Sequence, residues 1–280
     1  MTIEWSSTQL RRLKELNGSA ELLSKSFDST AERNHAFQKV EGKLKRDAKK
    51  RLEDIKAGPR RPRLCVLEQI LTSELITAGF VQVTTPIIMS RAHLAKMSIT
   101  EQHPLHSQVF WLDDKRCLRP MLAPHLYYLL KDLLRLWERP VRVFEVGPCF
   151  RKETHGAQHA NEFTMLNLVE MGLPAQDRHD RLEEMAQRVM AAAGIEDYRL
   201  VTESSDVYGD TIDVEAGLEG LEVASGAMGP HALDEAWRIT DTWVGLGFGL
   251  ERLLMISEGI DSLGKMGRSL SYLDGNRLNI

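Results

Sequence analysis

The residues best able to do chemistry lie in two well-separated segments. The first spans residues 141–171: a β-rich stretch VRVFEV, then Gly147-Pro148, then Phe150-Arg151-Lys152-Glu153, a polar loop THGAQH, and a second β-rich stretch EFTMLNLVE. Charged residues at the end of a strand, followed by a loop with Gly156, suit an anionic ligand held over a sheet. Arg151 offers a forked cation for phosphate. Glu153 offers an acceptor for an exocyclic amine such as that of adenine, and His155 and His159 can approach terminal phosphates. Seen alone, the segment also reads as a hairpin with a charged turn.

The second segment is WVGLGFGLERLL, residues 243–254. Gly245, Gly247 and Gly249 alternate, so one face of a strand is stripped of side chains and its backbone can approach a flat ligand. A helix is expected over 250–256, with Glu251 and Arg252 in its first turn. A cation there opposes the helix dipole, so Arg252 is expected to have an anionic or stacking partner. Glycines spaced by two differ from the G-x-G-x-x-G nucleotide fingerprint. His103 and His106 have a spacing that invites a metal, but with no third ligand candidate no metal is assigned to them.

These side chains need a sheet and helices to hold them. Leu67, Ile70, Leu71, Leu75 and Ala78 predict an amphipathic helix ending at Gly79, followed by a strand over 80–84 that Pro86 stops. Pro124 can open a helix with Leu126, Leu129, Leu130 and Leu133 as its stripe. Three β-type blocks, 141–146, 163–170 and 243–248, are accompanied by a helix over 178–193. Strands in runs with segregated helices predict an α+β fold with a mostly antiparallel sheet, placed in a domain over 64–280. Residues 1–63 read as a separate helical region. It has a short helix over 8–16, a capping-box pattern at Ser29 and Glu32 beside Phe27, and an apolar stripe of Val40, Leu44, Ala48, Leu52 and Ile55. Gly58-Pro59 ends that stripe, and Arg60-Arg61-Pro62-Arg63 follows as a basic linker.

The 280 residues are 42% hydrophobic and 27% charged, with a net charge of −4. Residues 39–63 hold eleven Lys or Arg against four Asp or Glu, a balance of +7, which leaves −11 for the remainder. An acidic body with one basic segment fits contact with a polyanion, although a solvated helix face gives the same pattern. Three cysteines without C-x-x-C spacing suggest a reduced, cytoplasmic setting. The start of the chain shows no secretory signal pattern, and no run approaches the roughly 20 apolar residues of a membrane helix.

Phe150-Arg151-Lys152-Glu153 resembles motif 2 of the class II aminoacyl-tRNA synthetases. Residues 245–252 resemble motif 3, and GFVQVTTP at 79–86 resembles motif 1, all in the expected order. The longer stretches LRPMLAP, EFTMLNL, VYGDTIDV, GFGLERLL and SLSYLDG are similar to the pyrrolysine-specific branch of that class. The resemblance is strong over 64–280, and residues 1–63 resemble the tRNA-binding region that precedes that core.

The resemblance implies a seven-stranded-type antiparallel sheet, a homodimer through the motif 1 helix and strand, and a bent ATP with Mg2+. Arg151 would hold the α-phosphate and, with Arg252, carry catalysis; Glu153 would read adenine. His159 would lie near the terminal phosphates, Phe163 and Arg252 would sandwich the adenine ring, and Glu222 and Ser225 would hold magnesium. Met121, Leu122, Ala123, Leu126, Tyr127 and Leu130, with Val169, Trp243 and Gly245, would line an apolar amino-acid pocket. Asn167 would hydrogen-bond the substrate's side-chain amide carbonyl, and Tyr208 would cover the ligand from a hairpin.

The implied activity is attachment of pyrrolysine to the 3′ end of an amber-decoding tRNA. Lys43, Arg46, Lys50, Arg60, Arg61 and Arg63 are the expected phosphate contacts. His125 stands where an asparagine is expected, Val169 where some relatives carry cysteine, and residues 215–220 lengthen a hairpin before Glu222. A separate small protein is expected to supply the N-terminal tRNA-binding domain of longer relatives. Two rivals are a class II enzyme for another large amino acid and a non-catalytic RNA-binding paralogue. Against the second stand Arg151, Glu153, Glu222 and Arg252, which such a paralogue has no need to keep.

Overall fold

A computed structural model of the chain describes residues 2–152, 160–260 and 262–280. It forms two compact units, Met1–Arg63 with Ser269–Ile280, and Leu64–Arg268. In the smaller unit, serines at Ser6, Ser19 and Ser29 start three helices by accepting a backbone N–H with their hydroxyls. A two-residue strand β1 (Ile3–Glu4) pairs antiparallel with β2 (Ser26–Phe27) around α1 (Ser7–Glu15) and α2 (Ala20–Leu23). The long helix α3 (Thr30–Ala57) is 28 residues, well beyond the apolar stripe expected for it, because the cap at Ser29 opens it a full ten residues before Val40. Glu32 reaches back to the N–H of Asp28 at 3.0 Å, not to that of the capping serine. Trp5, Leu13 and Phe27 are buried under Phe37, Val40 and Leu44 of α3, with the Trp5 and Phe27 rings edge-on at 4.4 Å.

In the larger unit, α4 (Arg63–Thr77) buries Leu64, Leu67, Leu71 and Leu75 and leaves Ile70 and Ile76 about half exposed, at 44% and 53%. The strand expected over 80–84 is only β3 (Val81–Gln82), and it runs parallel to Val143 and Phe144. A small ribbon of β4 (Ile88–Ser90) and β5 (Arg116–Leu118) frames α5 (Arg91–Ala95) and α6 (Pro104–Gln108). Helix α7 (Ala123–Leu136) begins with Pro124 in its first turn. After it come β6 (Val141–Phe150), β7 (Glu162–Met171), α8 (Arg178–Ala192), β8 (Tyr198–Ser205), β9 (Gly209–Ala216), β10 (Leu221–Gly229), α9 (Asp234–Trp237), β11 (Trp243–Gly249) and α10 (Leu250–Glu258).

Seven strands make one sheet in the order β3-β6-β7-β11-β10-β9-β8, antiparallel except at the β3–β6 pair. This is the α+β architecture that the run of strands predicts. Strand β8 (YRLVTESS) carries no clear alternation in the sequence, because only Tyr198 and Leu200 reach the core and its second half is polar. One face of the sheet packs Phe144, Leu166, Leu168, Val244, Leu246 and Phe248 against Leu71, Leu182 and Leu253 of α4, α8 and α10. Val143, Val169, Met171 and Trp243, on the opposite face, meet Leu126, Tyr127 and Leu130 of α7. Among the described residues no helix is long and apolar enough to cross a membrane.

The last residues correct the expected boundary. Ser269–Ile280, expected with the larger unit, belongs to the smaller one, where β12 (Tyr272–Leu273) pairs with β13 (Asn276–Arg277). Polar ties explain it: Asp274 accepts from the N–H and Nε of Arg63 at 2.8 and 3.1 Å, and Asn276 accepts from Arg51 at 2.6 Å.

Candidate functional site

A cavity of about 460 Å³ opens on the α7 side of the sheet. Its floor follows from register. Gly245 lies opposite Val169, Gly247 opposite Asn167 and Gly249 opposite Met165. A methyl group at Gly247 would sit 3.1 Å from Asn167 Nδ2 and 3.3 Å from the Met165 terminal carbon. The glycines therefore do what their spacing suggests: they leave β11 bare where β7 projects its side chains.

Most of the expected site residues line this one cavity. Arg151 and Phe163 stand at the end of the β6–β7 hairpin, Glu222 and Ser225 on β10, and Arg252 at the start of α10. Met121, Ala123, Leu126, Tyr127 and Leu130 come from α7 and its approach, and Asn167, Val169, Tyr208, Trp243 and Gly245 from the strands and the β8–β9 turn. Leu122 is the exception. It is fully buried and absent from the cavity lining, since a helix turns successive residues about 100° apart and its neighbours already face the opening. Glu153, His155 and His159 lie outside the described residues.

Arg151 is seated from below. Its Nε donates to the carbonyl of Pro120 at 3.0 Å, and the N–H of Phe150 donates to the carbonyl of Arg119 at 2.9 Å. Arg119 is itself 2% exposed and paired with buried Glu145 at 2.7 Å, with Thr85 donating its hydroxyl to the same carboxylate. A Cβ at Gly147 would collide with that guanidinium, which explains the glycine before Pro148. This anchor escaped the sequence reading, although Gly147 and the LRP stretch were its visible traces.

The guanidinium of Arg151 lies over the Phe163 ring at 5.4 Å from the centroid. Arg252 donates to the carbonyl of Glu222 at 2.8 Å and pairs with its carboxylate at 3.5 Å, supplying the anionic partner its helix position called for. Burial raises the Glu222 carboxyl above its usual range, offset in part by Arg252 and Arg151. A one-residue shift in the β9–β10 pairing between Glu222 and Ala224 places Val223 as a bulge, which sets the direction of Glu222 into the cavity. Beside it, Ser225 donates its hydroxyl to Asp213 at 2.6 Å. Asp213, left unassigned by the sequence reading, therefore belongs to this polar rim. A hydroxyl that gives its proton to a carboxylate keeps its lone pairs for a cation.

At the apolar end, Tyr127 stacks on Trp237 (5.5 Å between centroids) and meets Trp243 edge-on at 5.6 Å. Burial drives the Tyr127 hydroxyl well above the ordinary phenol range. Asp234 fixes the Trp243 indole by accepting its N–H at 2.9 Å, and burial raises the Asp234 carboxyl. Asn167 Oδ1 is buried without a hydrogen-bond partner. A buried amide oxygen lacking a partner inside an apolar wall points to a hydrogen-bond donor on a ligand.

Beneath the floor, Glu251 is 1% exposed and accepts from the N–H and hydroxyl of Thr164 at 2.9 and 3.0 Å, tying α10 to β7. The basic residues lie in the smaller unit. Lys43, Arg46 and Lys50 are exposed on α3, as are Arg60 and Arg61 after it, whereas Arg63 is engaged by Asp274. Among the described residues no group of three or more His, Cys, Asp or Glu could hold a metal ion by itself.

Comparisons with known proteins follow the same lines. The family described as tRNA synthetases class II core domain (F) matches residues 45–274. The solved structure of pyrrolysyl-tRNA synthetase from Desulfitobacterium hafniense is 58% identical, covers 100% of both chains and superposes with a TM-score of 0.95. A second structure from that organism, of PylSc, a pyrrolysyl tRNA synthetase, is 57% identical with a TM-score of 0.92, covering 100% of this chain and 96% of that one. A lysine--tRNA ligase from Dehalococcoides mccartyi is 30% identical over 174 residues, 60% of this chain and 32% of that protein. The chain spans half or less of the length of this and other curated relatives, from 15% to 50%.

Proposed function

The chain belongs to the class II tRNA synthetase core-domain family, and from that premise we propose that it activates pyrrolysine with ATP and passes the acyl group to the 3′ end of an amber-decoding tRNA. One observation carries the reading. Arg151 and Arg252, from two distant segments, meet across a glycine floor in a cavity whose other end is apolar around an unpartnered Asn167. The phosphates belong at the arginine end. A long aliphatic side chain carrying one amide suits the other end, where the open Asn167 Oδ1 would accept the ligand's amide N–H and Nδ2 would donate to its carbonyl.

Adenylation needs no side-chain nucleophile. The amino-acid carboxylate forms a bond to the α-phosphorus while the bond to pyrophosphate breaks, and the protein's part is positioning and charge stabilisation by Arg151 and Arg252. Glu222 and Ser225, with Asp213 at the hydroxyl, form a hard-oxygen set suited to Mg2+, which takes its other ligands from phosphate and water. When bound, it neutralises charge on the leaving pyrophosphate.

Lys43, Arg46, Lys50, Arg60 and Arg61 offer the tRNA backbone a basic track, with Arg63 anchoring its base. Half-exposed Ile70 and Ile76 on α4 and Val81 on β3 support a homodimer through this edge. The fold and composition suit a cytoplasmic enzyme. Pyrophosphate exchange with ATP and a panel of amino acids, including an Nε-acylated lysine, tests the reading. The acylated lysine is expected to drive exchange that Arg151→Ala or Arg252→Ala abolishes in folded protein. Near-normal exchange by either variant would refute the assigned roles.

A further inference from the structure

The turn between β8 and β9 carries Tyr208, whose ring meets Trp243 at 6.3 Å across the apolar end of the cavity. Within the turn, the Ser205 hydroxyl accepts from the N–H groups of Val207 and Tyr208 at 3.2 and 3.3 Å. Two of its carbonyls are instead taken by histidines from elements outside the hairpin. His103 Nε2 is 3.2 Å from the carbonyl of Asp206, and His231 Nε2 is 2.7 Å from the carbonyl of Tyr208.

Both imidazoles are wired alike. The N–H two residues on donates to Nδ1: Leu105 to His103 at 3.1 Å, and Leu233 to His231 at 3.1 Å. A carbonyl only accepts, so each ring must carry its proton on Nε2, and each ring bridges its own loop to the β8–β9 turn. The His231 side also runs back to the floor. The His231 N–H donates to Asp234 at 2.7 Å, and Asp234 accepts the Trp243 indole N–H. Floor indole, carboxylate, histidine and lid carbonyl thus form one chain.

We propose that His103 and His231 are positioning residues that latch the β8–β9 turn over the amino-acid end of the cavity, so that Tyr208 presents a fixed wall to the substrate side chain. The proposal rests on the reading of that end as the amino-acid pocket. The latch lies in the distal Nε2–H donor, and this separates it from a local role in shaping the loops. Asparagine can replace Nδ1 as acceptor but cannot reach the turn; glutamine can place a donor near Nε2 but not an acceptor at Nδ1.

In the full-length chain, His231→Asn is expected to raise KM for the acylated lysine about fivefold, the loss of one ordinary hydrogen bond, with kcat and KM for ATP within about twofold. His231→Gln restores most of the loss. The same pair at His103 behaves alike, and the double Asn variant multiplies the two effects. Hydrogen exchange of the segment 204–209 gives a readout that needs no turnover: it is about fivefold faster in the Asn variants and near wild type in the Gln variants. If no amino acid supports exchange with pyrophosphate, the pocket reading fails while this arm still decides the latch. Gln no better than Asn, in KM and in hydrogen exchange, overturns the proposal.

Discussion

Gly247→Ala puts the idea of a bare strand face to a direct test. Gly247 is not among the glycines with positive φ, so alanine adopts its backbone without strain. Its added methyl would lie 3.1 Å from Asn167 Nδ2 and 3.3 Å from the Met165 terminal carbon, a few tenths of an ångström tighter than easy contact. Both neighbours are side-chain ends at the cavity, and they can give. Folding stability is therefore expected to change by less than about 1 kcal/mol, the unfolded-state gain of replacing glycine offsetting the crowding.

The ligand has no such freedom. Filling space that a bound molecule must occupy, and displacing the amide of Asn167, corresponds to overpacking of about 1–3 kcal/mol, or roughly 5- to 150-fold in kcat/KM. The assay is amino-acid-dependent pyrophosphate exchange, with thermal unfolding measured on the same preparation. Gly42→Ala in the middle of α3 serves as the control, since its Cβ would meet only the Arg46 guanidinium at 3.7 Å. That change should stabilise the helix by about 0.5–1 kcal/mol and leave exchange alone. Exchange by Gly247→Ala within twofold of wild type would sink the reasoning, because the glycine would then be spared for no ligand.

Two further outcomes are expected. Replacing Lys43, Arg46 and Lys50 together by alanine should weaken tRNA binding and flatten its log–log salt dependence by about 2 to 3, at just under one per phosphate contact, while exchange with pyrophosphate is kept; an unchanged slope would remove α3 from the tRNA interface. The second concerns pH. Burial, followed by the charges of His93 and Arg119, holds the His125 imidazole down to about 4 from 6.5. The folded state thus binds fewer protons than the unfolded state between those values, and stability present above pH 6.5 is lost as pH falls toward 4. At 1.36 kcal/mol per pH unit the loss approaches about 3 kcal/mol. In His125→Asn, unfolding midpoints measured from pH 7 to 4 should lose that part of the slope, and an unaltered profile would show that His125 is not its source.

What the sequence disclosed tracks the strength of local signals. The strands β6, β7 and β11 and the helices α7, α8 and α10 are fully buried on at least one face, so apolar periodicity marks them. A serine cap marks the start of α3, whereas the Ser6 cap of α1 went unread and its helix was expected to begin only at residue 8. The chemistry-bearing residues were legible for a different reason: Arg252 and the alternate glycines break local rules, a charge at an unfavourable helix end and glycine in a strand, and such breaks mark places where something other than local structure decides the residue. What stayed hidden is long-range. Strand β8 brings only Tyr198 and Leu200 to the core, Arg119 needs Glu145 and Thr85 to reveal its role, and Asp213 acquires meaning only when β9 lies beside Ser225. Leu122, just before the first residue of α7, is turned into the core between two lining neighbours, Met121 and Ala123, which a run of expected pocket residues could not reveal.

The same residues that stabilise the sheet also hold the site in register. A slip of β11 by one residue against β7 would turn Val244, Leu246 and Phe248 toward the cavity and drive the three glycines into the core. Exposing three large apolar side chains forfeits about 1.5–3 kcal/mol each, together roughly 5–9 kcal/mol, comparable with the whole stability of a typical domain. No ligand contact is needed to enforce the alignment. Beyond Trp243 the strand can thus present only backbone to the cavity, because its other face, Val-x-Leu-x-Phe, fixes where each of the three glycines falls. Arg252 inherits that placement one turn later, and Arg151 inherits it through β7's pairing with β6. The distance between the two arginines is therefore set by core packing, and conservative changes at Leu246 or Leu166 should disturb exchange with pyrophosphate more than their loss of stability alone explains.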